Sequence, residues 1–193
     1  IGPAAFAEDV QTTFHEWIDS PRPEGWSHQL KNEPGVVLYY ESKKRVEKRA
    51  PSDRLEYDIT PHIGGALGNV FTYGAAGATL RFGSGLPSDY GPPRIRPSLP
   101  GSGFFEPPVW PLAWYLFTGV EARVMARNIF LDGNTFANSA SVDRNLLVGD
   151  VQMGLVVTIR RTRIAYTHIL RSKEFDGQDQ GDQFGAISVS FAY

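Results

Sequence analysis

The sequence predicts an all-β protein, an antiparallel β-barrel that crosses a membrane with its strands. Seven segments carry apolar residues at every second position. Most are roughly ten residues or longer, which is the length that a tilted strand needs to cross a bilayer. Strands of soluble proteins are usually shorter, about five or six residues. Arg, Glu and Asp recur at the alternate positions, as expected where that face lines a polar lumen. A soluble sandwich or barrel with its polar face in water also alternates, so it is the strand length that favours the membrane.

The clearest alternation lies in residues 148–160, where Val151 and Met153 alternate with Asp150 and Gln152. The other predicted strands are residues 36–46, 54–65, 70–83, 113–127, 162–172 and 184–193. Single-chain bacterial barrels have an even number of strands. The odd count therefore indicates that one strand has been missed or that the chain lacks its beginning.

The composition excludes several other classes of protein. The chain has no run of about 18 apolar residues, so we expect no transmembrane helix. It has no cysteine, which excludes disulfides and thiolate metal sites. The net charge of -2 gives no indication of a nucleic-acid partner. The first residue is Ile1 rather than Met, so we expect a processed product or a fragment, with residues 1–193 in a single domain.

One short amphipathic helix is predicted over residues 8–19. Val10, Phe14 and Trp17 fall on one apolar stripe, which Ile18 extends. The following Ser-Pro pair ends the helix, because a residue before proline avoids the helical conformation. Counting strands back from a periplasmic C-terminus places this helix outside the cell. The same count places the Pro- and Gly-rich residues 84–112 in the periplasm.

Gln11 and His15 are the candidate chemical groups. They are four residues apart, and therefore adjacent on the helix surface. A histidine on a helix that lies against the barrel could act as a general base, with Gln11 orienting a water or donating to an oxyanion. The spacing alone favours an ordinary pair of surface side chains, because a His–Gln pair is not a specific motif.

The remaining histidines and charges are interpreted as structural. His28, His62 and His168 lack the spacing of metal ligands. The charged side chains of the polar face are expected to pair with one another across neighbouring strands. These residues are Glu121, Arg123, Asp150, Arg160 and Arg163.

Several stretches resemble the outer-membrane lipid A 3'-O-deacylase family. They are VQTTFHEWIDSPRPEGWSHQLKNEPG (10–35), YDITPHIGGALGNVFTYGAAGATLRFG (57–83), ARNIFLDGNTF (126–136) and YTHILRSKEF (166–175). The C-terminal FGAISVSFAY is also similar to the aromatic-ended last strand of outer-membrane barrels. We therefore expect this last strand to face lipid.

The resemblance implies a twelve-stranded barrel in the bacterial outer membrane, of which this chain supplies about seven strands, with one short helix in an extracellular loop. It implies hydrolysis of the ester that holds the 3'-linked acyloxyacyl chain of lipid A, the lipid part of lipopolysaccharide. It also implies a requirement for Ca²⁺. His15 matches the family's catalytic histidine, and Gln11 matches the glutamine one turn before it.

The N-terminal motifs of the family have no counterpart in this sequence. An Asn-Asp pair on the first strand, an Asp-Arg…Tyr-Thr-Asn-Gly motif and an early catalytic lysine are absent, and Asp143-Arg144 lies in a different context. We therefore expect the first several strands to be missing, with part of the catalytic and calcium-binding set. The alternative function is a non-catalytic structural or lipopolysaccharide-binding barrel. A pore is disfavoured by the charged, aromatic interior of a small barrel.

Overall fold

The computed structural model describes residues 1–22, 24–49, 55–87, 89–91, 95–96, 99–100 and 111–192. Its helices are α1 (Ala7–Trp17) and α2 (Ile129–Asp132), with 3-10 turns at Pro3–Ala5 and Trp26–His28. Its strands are β1 (Val37–Lys43), β2 (Val46–Arg49), β3 (Glu56–Gly68), β4 (Phe71–Ser84), β5 (Ile95–Arg96), β6 (Leu99–Pro100), β7 (Leu112–Asn128), β8 (Leu147–Ile159), β9 (Thr162–Arg171) and β10 (Asp182–Phe191). None of the helices in this described part of the chain has the length and apolar character of a membrane span.

The long strands form one antiparallel sheet in the order β1-β3-β4-β7-β8-β9-β10, with β2 also paired to β3. β1 and β2 share a single register on β3, since Lys43 pairs with His62 and Val46 pairs with Ile59. They are therefore one strand interrupted at residues 44–45. All seven predicted strands are confirmed, although several run one to three residues longer or shorter than the alternation suggested.

The two faces of the sheet separate apolar from polar side chains. On β3, Ile59 and Ile63 are exposed on the outer face, whereas Asp58, Thr60 and His62 are buried on the inner face. The same division holds along β4, β7, β8 and β9. The long apolar outer face and charged inner face confirm the transmembrane β-barrel class.

The inner face carries two apolar clusters with charged side chains between them. The first lies at the strand ends that the strand count predicts to be extracellular, called the extracellular rim below, and is built from Ala66, Val70, Phe71, Met125, Ile129 and Val148. The second lies at the opposite ends, predicted to be periplasmic, and is built from Tyr115, Phe117, Val156 and Ala165. Ile1 and Leu30 pack on the first cluster, so the chain that precedes β1 is anchored at this extracellular rim.

The connections between the long strands differ in length. β8 and β9 are joined by the tight turn at residues 160–161, where Arg160 has a left-handed φ of 55°. The chain between β7 and β8 is longer and contains α2. The two-residue strands β5 and β6 lie in the Pro- and Gly-rich segment 84–112. Residues 101–110 of that segment, Arg54 and the terminal Tyr193 lie outside the described residues.

Candidate extracellular site

The helix that carries Gln11 and His15 begins at Ala7, after a turn through Phe6. Phe6 has a φ of 55°, in the left-handed region that bulky residues seldom adopt. Glu8 and Asp9 occupy the first turn of α1, where the partial positive charge of the helix N-terminus favours acidic side chains. The start of the helix is therefore one residue earlier than predicted.

The helix ends at Trp17, two residues before the predicted end. Asp19 adopts the left-handed conformation with a φ of 53°. The amide of Ser20 then donates to the carbonyl of His15 at 2.9 Å, and the amide of Asp19 donates to the carbonyl of Glu16 at 3.4 Å. These two bonds form a Schellman motif. The chain thus reverses direction before the proline that the sequence marked as the stop.

This reversal brings the carbonyl of Pro21 back to the ring of His15. The distance from Nδ1 of His15 to the carbonyl oxygen of Pro21 is 2.6 Å. A carbonyl oxygen only accepts hydrogen bonds, so Nδ1 of the neutral ring carries the proton and donates. Nε2 is consequently the unprotonated nitrogen, and it alone is able to accept a proton.

Gln11 is exposed on α1, one helical turn before His15. The structure therefore keeps these two predicted residues as neighbours on one helix. No hydrogen bond of the Gln11 side chain is found within the described part of the chain, so its amide is not held by another group there. Within the described part of the chain, the helical spacing is the structural feature that relates the two side chains.

The apolar stripe of α1 is not covered by other described residues. Trp17 is 81% exposed, Val10 is 67% exposed and Phe14 is 50% exposed. Phe14 instead packs its ring against those of His15 and Trp17, with centroids 6.5 and 6.1 Å apart. The expected packing of this helix on the barrel wall is therefore not observed among these residues.

Glu33 anchors the extracellular segments beside the helix. Its carboxylate accepts hydrogen bonds from Nδ2 of Asn69 (2.9 Å), Nδ2 of Asn134 (3.0 Å) and the amides of Thr135 (2.8 Å) and Phe136 (3.3 Å). Burial of the Glu33 carboxyl raises its pKa, but these hydrogen bonds outweigh the burial and bring the pKa to about 2. Sequence reasoning missed this residue, because a single Glu before Pro-Gly in a predicted loop carries no motif.

The lumen below this rim contains a cavity of about 200 Å³ lined partly by charged side chains. Arg123 and Arg171 both bind Asp150, at 2.7 and 2.9 Å, across strands β7, β8 and β9. Nε2 of His62 lies 3.1 Å from Glu121, so this histidine joins the charged layer. The predicted pairing across strands is confirmed for Arg123 and Asp150.

Two of the other predicted charges behave differently. Among the described residues, Arg163 forms an ion pair with Asp89, which belongs to the chain that follows β4. Arg160 is exposed in the turn between β8 and β9. Its side chain has left the inner face, because the turn interrupts the alternation there.

The described residues contain no group of three or more His, Asp or Glu side chains that could hold a metal ion. The acidic side chains of the lumen are instead paired with arginines, as Asp150 is with Arg123 and Arg171. The described residues therefore do not fit a calcium site built from several carboxylates.

Comparisons with known proteins bear directly on this membrane barrel. A model of the family described as "Outer membrane protein LpxR" matches residues 1–193. The chain belongs to the LpxR family. Its structure is also similar to that of LpxR from Salmonella typhimurium, with a TM-score of 0.80 and 22% sequence identity over 100% of this chain. No curated protein sequence gives a match.

Membership of the LpxR family confirms the location in the bacterial outer membrane. At 22% identity, the likeness to the Salmonella protein establishes the barrel fold alone. The chain spans 64% of the length of that LpxR structure. The sheet described above therefore corresponds to part of an LpxR-type barrel.

Proposed function

We propose that the protein containing this chain is a lipid A 3'-O-deacylase. The proposal combines membership of the LpxR family with one observation at the extracellular rim, the hydrogen bond from Nδ1 of His15 to the carbonyl of Pro21. Lipopolysaccharide lies in the outer leaflet. A site at this rim would meet its substrate without a soluble intermediate.

In the proposed reaction, Nε2 of His15 removes a proton from a water molecule. The resulting hydroxide attacks the carbonyl carbon of the ester that links the 3' oxygen of lipid A to its acyloxyacyl chain. The bond between that carbon and the 3' oxygen then breaks. The proton passes to the departing 3' oxygen, and the acyloxyacyl chain leaves as a carboxylic acid.

The Pro21 carbonyl has a positioning role in this scheme. It holds the imidazole in the tautomer that leaves Nε2 free to accept a proton, and it fixes the plane of the ring. Gln11, one turn earlier, would orient the water or donate its amide to the oxyanion that forms on the carbonyl oxygen. Oxyanion donors of this kind contribute about 10²- to 10³-fold to kcat.

Calcium remains part of the proposal through the family resemblance alone. When bound, it would stabilise the negative charge that develops on the ester carbonyl. Because the described residues do not fit a multi-carboxylate calcium site, no step above depends on it. Loss of deacylation in EGTA, restored by added calcium but not by magnesium, would support a calcium requirement.

The direct test is mass spectrometry of lipid A from cells that express the complete open reading frame. The wild-type protein is expected to remove the mass of the 3'-acyloxyacyl chain, and His15→Ala is expected to lose about 10²- to 10⁴-fold in rate. His28→Ala is the matched control. It removes a second histidine from the same extracellular segment, one whose side chain hydrogen-bonds only to the neighbouring Ser27 among the described residues.

The outcomes separate the two candidate functions. Unchanged lipid A, from a wild-type barrel shown to be folded in the outer membrane, would favour a structural or lipopolysaccharide-binding barrel without catalysis. Cleavage that survives His15→Ala would keep the deacylase but reject His15 as its base. Equal losses in His15→Ala and His28→Ala would indicate that both changes act through disruption of the loop.

A further inference from the structure

The chain that follows β4 turns back into the barrel instead of running along its edge. Its described part, residues 85–87 and 89–91, lies at the periplasmic ends of the strands. Leu86 packs on the cluster formed by Tyr115, Phe117, Val156 and Ala165. Asp89 is only 5% exposed. This segment, called the inner segment below, therefore lies against the inner face of the sheet through Leu86 and Asp89, whereas its Tyr90 is exposed.

Asp89 is clamped between two arginines from well-separated strands. Its carboxylate oxygens bind Nη1 of Arg81 on β4 at 2.5 Å and Nη1 of Arg163 on β9 at 3.1 Å. β7 and β8 lie between these two strands in the sheet. The Asp89 side chain thus bridges the concave inner face.

The inner segment is held through its backbone as well as through the side chain of Asp89. Nη1 of Arg45 donates to the carbonyls of Pro87 (3.0 Å) and Asp89 (3.3 Å). Nη2 of Arg81 donates to the same two carbonyls, at 3.3 and 3.1 Å. At the start of the segment, the amide of Leu86 donates to the carboxylate of Glu56 at 3.0 Å.

Burying the two arginine charges in the barrel wall costs a large desolvation free energy. Arg81 and Arg163 are each 1% exposed, and a buried charge is tolerated only when it is paired and hydrogen-bonded. Asp58 on β3 satisfies one side of Arg81 through a two-pronged contact. Asp89 provides a carboxylate for both arginines. The two buried arginines of the barrel wall therefore form a positively charged site, and the carboxylate of Asp89 in the inner segment neutralises it.

We propose that the inner segment is a plug that seals the periplasmic end of the barrel lumen, with Asp89 as its latch. The lumen above it contains the polar cavity lined by Glu121, Arg123, Asp150 and Arg171. Water and ions in such a cavity would otherwise be continuous with the periplasm. This role is independent of the deacylase activity, which is placed at the opposite end of the barrel.

The test is ion conductance of the complete protein in planar lipid bilayers. The wild-type protein is expected to be closed, and Asp89→Ala is expected to show channel openings because the latch is released. Asp150→Asn is the matched control, since it disrupts a similar Arg–Asp–Arg cluster higher in the lumen without contact to the inner segment. It is expected to remain closed.

Three results would overturn the proposal. They are a folded Asp89→Ala protein that stays closed, a wild-type protein that already conducts, and an Asp150→Asn protein that opens as readily as Asp89→Ala. Folding of each variant is checked by its heat-dependent shift in gel mobility.

A second measurement leaves Asp89 in place, in case its replacement prevents folding. The chain has no cysteine, so Gln152→Cys gives it a single thiol, and that thiol lies at the lumen cavity. A membrane-impermeant maleimide is added to vesicles in which the periplasmic turns face outward. Labelling is expected to be lost at this position but retained for Arg161→Cys in the exposed periplasmic turn. Equal labelling of the two positions would show that the periplasmic mouth is open.

Discussion

Nδ2 of Asn134 donates a hydrogen bond of 3.0 Å to the carboxylate of Glu33, and so joins two extracellular segments that are far apart in sequence. The contact is reinforced by the backbone of Lys31, whose amide and carbonyl bind the side chain of Asn134 at 2.8 and 2.9 Å. Asn69, in the turn between β3 and β4, binds the other carboxylate oxygen of Glu33. One carboxylate therefore ties together three connections of the rim.

We predict that Glu33→Gln loosens this rim. Asn69, Asn134 and the amides of Thr135 and Phe136 all donate to the two carboxylate oxygens, whereas a glutamine amide has only one acceptor oxygen, so at least one bond is lost in either orientation of the amide. Hydrogen exchange at the Thr135 and Phe136 amides should become faster. Glu16→Gln is the control, since Glu16 makes only an exposed pair with Arg22 among the described residues. Unchanged exchange in Glu33→Gln would refute the anchoring role.

The same contact should depend on pH in the wild-type protein. The folded-state pKa of Glu33 is lowered from 4.5 to about 2, so its ionised form stabilises the rim above the unfolded value. That stabilisation is lost as the pH falls from about 4.5 through about 2. Exchange at Thr135 and Phe136, corrected for its intrinsic pH dependence, should rise across this window. A rise confined to higher pH would assign the effect to another group.

The tautomer of His15 depends on a backbone reversal, and this gives a third prediction. Asp19→Gly should retain deacylation, because glycine adopts the left-handed conformation without steric cost. Asp19→Val should lower the rate, because a β-branched residue resists a φ of 53° and the Pro21 carbonyl would move away from Nδ1. Lipid A mass spectrometry of the complete protein compares the two. Equal activity in both variants would mean that this hydrogen bond does not matter for the reaction.

The sequence was sufficient to predict the strands and their faces. The alternation in β8 assigns Val151 and Met153 to lipid and Asp150 to the lumen, because a strand places successive side chains on opposite sides. Residues 44–45 interrupt the first strand without changing the register, so the pattern did not reveal the break. The left-handed conformation of Asp19 was also missed. A Ser-Pro pair sets the last position at which a helix can end, whereas this helix ends before it.

The sequence does not predict which side chains far apart along the chain contact one another. Arg163 was expected to pair within the wall, yet its partner Asp89 lies in a segment that the strand pattern treated as a periplasmic loop. Glu33 was missed for a similar reason, since Asn69 and Asn134 come from loops distant in sequence. Gln11 and His15 were identified by spacing and family resemblance. Their roles remain predictions that only activity measurements can test.

A fourth prediction concerns the ion pairs behind the inner segment. Arg81→Ala leaves the buried carboxylates of Asp58 and Asp89 without their shared partner, which should cost about 3–5 kcal/mol of unfolding free energy. Arg81→Lys should also be destabilising, because a lysine cannot reproduce the two-pronged contact to Asp58. Urea unfolding of the complete protein in vesicles measures both. Arg161→Ala, in the exposed turn, should change the free energy by less than about 0.5 kcal/mol. Comparable values for Arg81→Ala and Arg161→Ala would contradict the argument.

The depth of each outer-face residue in the bilayer gives the last prediction. Met153 lies at the middle of β8 and points to lipid, whereas Leu147 lies at its extracellular end on the same face. Met153→Arg should therefore cost about 2–4 kcal/mol and Leu147→Arg about 0–1 kcal/mol, because the penalty for an arginine falls from the bilayer midplane to the interface. Urea unfolding in vesicles compares the two substitutions on one strand. A larger loss for Leu147→Arg would reverse the assigned depths, and equal small losses would mean that this face of β8 does not meet lipid.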